Sequence, residues 1–169
     1  MARLPRGVVP EVPGPGQESV WDYPRPPRVE AVADEVEVWF AGQRVASSTD
    51  TVRVLETSHP PTYYLPVDAF RAGVLRPTED SSVCEWKGRA RYLDLVADPV
   101  VVRAAAWTYP APAPGFEILA GCVSLYPAAV DRCLVGGEVV GPQPGGFYGG
   151  WITPWVVGPF KGGPGTLGW

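Results

Sequence analysis

A mostly antiparallel β domain with one short helix is the predicted fold class, and three observations carry it. Segments of alternating apolar and polar residues recur through the middle of the chain, the period-two pattern of half-buried strands. Twenty Gly and 21 Pro among 169 residues supply turns and break long helices. One stretch, residues 67–75, has apolar residues at helical spacing, with Pro66 near its start and Asp68 in its first turn.

Residues 1–28 read as an arm, because Pro10, Pro13, Pro15, Pro24, Pro26 and Pro27 prevent helix and keep the backbone extended. Ser19-Val20-Trp21-Asp22-Tyr23 is too aromatic for an idle linker, so the arm is expected to dock through Trp21 and Tyr23. The body spans residues 29–140. Its first strand is 35–40, with Val36, Val38 and Phe40 on one face and the glutamates on the other. Ala41-Gly42-Gln43 turns it, and 44–48 returns. In the strand at 51–56, Val52, Val54 and Glu56 share a face, so if the valines point inward a carboxylate follows them.

His59-Pro60-Pro61 breaks the pattern, and 62–66 is extended ahead of the helix at 67–75. Further strands are predicted at 83–86, 89–96, 100–109 and 118–126, with a closing hairpin at Gly136-Gly137. From residue 141 the chain is again rich in Gly and Pro, but it carries Phe147, Tyr148, Trp151, Trp155, Phe160 and Trp169. Disordered tails are poor in aromatics, so 141–169 is expected to be ordered and packed on the body.

A net charge of −4 and the lack of a basic run weigh against a nucleic-acid partner. No apolar segment approaches the length of a membrane span, and no secretory apolar core opens the chain, so the expected location is the cytoplasm. Cys84, Cys122 and Cys133 are widely spaced and His59 is the only imidazole, so neither a metal nor another cofactor is expected. Oligomeric state is not specified.

Lys87 and Lys161 are the only lysines, and each lies between an aromatic residue and a glycine. Lys87 reads either as a Schiff-base former or anion anchor, or as a solvated hairpin lysine. Cys84 lies three residues earlier, where a lysine can activate a thiolate; buried inert cysteine is the alternative. Glu56 with His59 allows acid–base chemistry or an ordinary strand end. In the strand at 100–109, alternation puts Arg103, Ala105, Trp107 and Tyr109 on one face. That face reads as an aromatic pocket wall, or as rings covered by the arm or tail. No nucleophile elbow, phosphate loop, dinucleotide fingerprint or H-E-x-x-H is present.

Four ordered motifs carry a family resemblance: Val54-Leu55-Glu56, Tyr64-Leu65-Pro66-x-Asp68, Cys84-Glu85-Trp86-Lys87-Gly88-x-Ala90-x-Tyr92, and Ala106-Trp107-x-Tyr109-Pro110-x-Pro112. Over residues 30–130 the chain resembles the domain of unknown function 427 family, also labelled nucleotidyltransferase family 9. The tail from Phe147 to Gly162 resembles a longer subgroup. Glu85 stands where the family usually has Pro after the cysteine. The resemblance implies a β-tent-like fold of two antiparallel sheets and a pocket, without the zinc cysteines of some relatives. The transferase label has no paired metal-binding carboxylates here to support it.

The leading expectation is a domain that binds a small-molecule ligand. Trp107 and Tyr109 are its walls, Lys87 and Glu56 its polar anchors, and Tyr64 a rim donor. Tyr92 and Arg103 line it, and Trp151 covers it. One rival is an enzyme acting on a small carbonyl or thiol substrate through Cys84 or Lys87. The other is an interaction module using Trp21 and Trp151.

Overall fold

A computed structural model describes residues 3–169. The first strands are β1 (Glu18–Ser19), β2 (Arg28–Val32), β3 (Val36–Phe40), β4 (Gln43–Ser48) and β5 (Thr51–Leu55). Then come β6 (Thr62–Pro66), β7 (Leu75–Cys84), β8 (Gly88–Ala97), β9 (Val100–Thr108) and β10 (Cys122–Leu125). The last are β11 (Arg132–Val135), β12 (Glu138–Val139), β13 (Gly141–Pro142), β14 (Trp151–Ile152) and β15 (Val156–Val157). The protein is mainly β, with several antiparallel sheets.

A seven-stranded sheet runs β2-β5-β6-β10-β9-β8-β7, and a four-stranded sheet runs β12-β11-β3-β4. The inward rows of the two sheets share one core. Val36, Val38 and Phe40 of β3 meet Tyr63, Leu65, Leu95, Val123 and Leu125 there. Strict alternation is what lets β3 bury its valines while Glu37 stays at the surface. Gly136-Gly137 turns β11 into β12, as expected of a hairpin.

The predicted helix does not form. Only a single 3₁₀ turn, Val67–Ala69, occupies its start, and Leu75 already belongs to β7. Phe70 is extended and bridges Ala46, Arg71 N–H donates to Val45 C=O at 2.8 Å, and Gly73 turns at φ +82°. Pairing with the edge of β4 therefore satisfies a backbone that local spacing alone would have coiled. The other helical elements among the described residues are also single 3₁₀ turns, and no helix is long and apolar enough to cross a membrane.

The strand predicted at 118–126 is shorter. Glu117–Leu119 forms a 3₁₀ turn and only Cys122–Leu125 pairs. The strand expected at 83–86 instead runs from Leu75 to Cys84, which leaves Glu85, Trp86 and Lys87 at the tip of the β7–β8 hairpin.

Both chain ends lie on the body. β1 pairs in parallel with β15, Tyr23 is buried, and Trp21 Nε1 donates to Pro159 C=O at 2.9 Å. Arg53 joins Glu18 and Glu30 beneath them. In the tail β13 pairs with β14. Trp151 is fully buried, stacks on Tyr63 at 5.0 Å, and donates from Nε1 to Leu125 C=O at 3.0 Å.

Candidate functional site

The outer face of the seven-stranded sheet carries a second cluster of rings, and a cavity of about 550 Å³ opens above it. Its floor is built by period two. Tyr64 projects outward from β6 because Tyr63 and Leu65 project inward, and Trp107 projects outward from β9 opposite Tyr92 of β8. Trp107 Nε1 donates to Tyr64 Oη at 3.2 Å, and the Trp107 ring lies 4.8 Å from that of Tyr126. Tyr109, just past β9, is also buried, its ring 6.3 Å from Tyr64. Burial pushes the Tyr64 and Tyr109 phenols above their ordinary values, so at neutral pH the floor is uncharged.

The β7–β8 hairpin forms one wall with Cys84 and Lys87. Lys87 is partly buried, with Nζ 5.7 Å from the centre of the Tyr109 ring. Burial alone would lower its pKa. The Tyr64 phenol, the Cys84 thiol and the Glu56 carboxylate around it outweigh that and hold it above the ordinary lysine value. It is thus an ammonium, suited to an anion, whereas a Schiff-base lysine needs a lowered pKa.

Glu56 and His59 stand opposite. Gln143 Oε1 accepts from Gly150 N–H at 2.9 Å, while its Nε2 faces Lys161 C=O at 2.8 Å and His59 Nδ1 at 3.0 Å. With the amide so oriented, Nδ1 of His59 accepts, and Nε2 carries the proton directed at Glu56 Oε2, 2.9 Å away. Both imidazole nitrogens are therefore engaged, which leaves Cys84 without a free imidazole base. Among the described residues no cluster of three metal-ligating side chains occurs.

Burial of Glu56 would raise its pKa. The hydrogen bond with His59 and the cations Lys87 and Arg25 reverse the sign and hold it below the usual carboxylate value. Its contribution to stability is therefore complete above 4.5, the ordinary value, and is lost as the pH falls through the lower folded value. Glu56→Gln is expected to cost about 1–2 kcal/mol at pH 7, the scale of a partly exposed charged hydrogen bond. Urea titrations from pH 7 to 3 check this: the gap from the parent should close in acid, and a pH-independent gap would contradict it.

The tail closes the top of the cavity with Phe147, Tyr148 and Gly149, and Lys161 and Trp169 complete its far side. The two lysines of the chain thus line one cavity.

Several expected lining residues lie elsewhere. Trp151 belongs to the intersheet core, not the cavity, because the tail inserts it against Tyr63 before passing over the site. Its burial also withdraws it from any partner surface. Arg103 is exposed, beside a separate depression with Val102, Ala104 and Pro127. The alternation behind its placement fails at a bulge: Leu93 pairs with Ala106 but Leu95 with Val102, and Ala104 takes φ +50° with its N–H on Asp94 Oδ1 at 2.9 Å. Ala105 and Ala106 then both face the core. Tyr64 is floor and not rim, since it is fully buried. Tyr92 lines the cavity, its hydroxyl 2.9 Å from Ser82 Oγ.

Sequence reasoning missed Arg25, Tyr126, Gln143 and Tyr148 as lining residues. Gln143 carries no signal in a Gly- and Pro-rich segment; the aromatic content around Tyr148 was the only one.

Residues 28–136 match the family described as Domain of unknown function (DUF427), more than half of the chain. The chain belongs to this family. No curated protein is a significant match. The DUF427 region supplies the floor, the Lys87 hairpin, Glu56 and His59, whereas Arg25, Gln143, Tyr148, Lys161 and Trp169 lie outside the matched span. The family domain thus presents an open aromatic face, and the flanking segments of this chain enclose it.

Proposed function

We propose that this DUF427 chain is a small-molecule-binding domain whose ligand occupies the cavity between the outer face of the seven-stranded sheet and the tail. One observation carries the reading: three rings, Tyr64, Trp107 and Tyr109, floor a cavity of about 550 Å³ on which Lys87 and Glu56 also converge. Apolar walls with a few orienting polar groups in such a volume are the usual make-up of small-molecule sites. In the same reading the two main sheets are the sides of a tent-like fold, residues 141–169 are the cover, and the arm braces that cover through β1 and Trp21.

A chemically diverse fragment set, screened against the full chain by thermal shift, tests this. Cys84 lines the cavity and Cys122 does not. Stabilising fragments are therefore expected to slow alkylation of Cys84 severalfold and leave Cys122 unchanged. The reading fails if no fragment stabilises the chain, or if those that do leave Cys84 as reactive as before.

A further inference from the structure

We infer that the ligand is a planar aryl acid carrying a single negative charge, its ring on the Trp107–Tyr109 floor and its acidic group on Lys87 Nζ. This rests on the binding reading above and specifies its chemistry. Arg25, Lys87 and Lys161 face two carboxylates, Glu56 and Glu85, although the chain as a whole carries −4. Three cations thus gather on one cavity in an acidic protein, and a single anionic group would match the one of them that no oxygen of the protein occupies.

The three cations are not equivalent. Arg25 donates to Thr57 C=O at 2.9 Å and to the main-chain oxygen of Trp169 at 3.1 Å, and it lies 3.7 Å from Glu56. Lys161 Nζ donates to that same Trp169 oxygen at 3.0 Å. The far side of the cavity therefore already holds an oxygen acceptor between two cations. Lys87 has no such partner: among the described residues no carboxylate lies within ion-pair reach of Nζ, and no oxygen accepts its hydrogen bond. Glu56, whose charge acts on Lys87, is committed to His59 and Arg25.

An ammonium held among a thiol and phenol rings, with no carboxylate paired to it, keeps donors free for a charge-assisted hydrogen bond to an arriving anion. That it keeps its proton there agrees with its raised pKa. Planarity follows from the floor. The ammonium stands over the Tyr109 ring, so a group bound to it projects the rest of the ligand along the Tyr109 and Trp107 faces, where a flat ring stacks and a bulky aliphatic body does not.

The test uses three probes of one shape: 2-naphthoate, 2-naphthamide and 2-naphthylmethylamine, titrated into the full chain by calorimetry at neutral pH. The acid is expected to bind at least tenfold more tightly than the amide, and the amine most weakly. The preference should vanish in Lys87→Met and persist in Lys87→Arg, with unchanged thermal melting showing that both variants are folded. Equal binding of acid and amide, or an acid preference that survives in Lys87→Met, overturns the inference while leaving a small-molecule pocket in place. If none of the three binds and the fragment set also finds nothing, both readings fall together.

Discussion

Ending the chain after Gly141 will lower stability by about 5 kcal/mol, counting roughly 1.5–3 kcal/mol for each large buried side chain that is lost. That is a large share of the total for a domain of this size. The cut removes Trp151 and Val156, both buried, and strips Tyr63 of its stacking partner and Leu125 C=O of its donor. It also deletes β15, which anchors β1 of the arm, so Trp21 and Tyr23 lose their contacts at the same time. The single change Trp151→Ala separates core packing from cavity cover, because Trp151 does not line the cavity. It should cost about 3–5 kcal/mol, or roughly 6–20 °C in melting temperature. Urea and thermal denaturation measure both, and a truncated chain that melts with the parent would show that the tail is not part of the fold.

Gly149→Val will displace the tail from the site while the two main sheets remain. Even one added carbon at Gly149 would overlap Trp107 Cη2 and come within 2.8 Å of Cζ2. The indole cannot retreat, because it lies on the sheet and donates to Tyr64. The backbone of the tail must therefore move, at a cost of about 1–3 kcal/mol typical of overpacking. The same shift pulls on Gly150, whose N–H holds Gln143 and so sets the orientation of His59. The expected readouts are a lower melting temperature, faster alkylation of Cys84 and weaker fragment binding. An unchanged Cys84 rate would mean that the tail does not cover the cavity.

What the sequence determined by itself is what depends on neighbours in the chain. Val36, Val38 and Phe40 face the core because alternation is a property of any extended backbone. The Gly136-Gly137 turn was legible for the same local reason, as was the shared face of Val52, Val54 and Glu56, although that face meets the outer ring cluster and the cavity and not the intersheet core. Lys87 was legible as a hairpin residue, since only a tight turn explains a lysine and a glycine between two alternating strands.

What only the tertiary structure decided depends on partners far away in sequence. Residues 67–75 have helical spacing, yet the edge of β4 takes their hydrogen bonds. Arg103 was placed by alternation that a bulge interrupts, and that bulge is held by Asp94 on the neighbouring strand. Trp151 and Tyr148 are equally aromatic and three residues apart, yet one fills the core and the other covers the cavity. That choice is made by the shape of the surface on which the tail lies. Composition can require that rings be buried, but which ring meets which face is settled only when the tail crosses a sheet whose gaps have already been set by other strands.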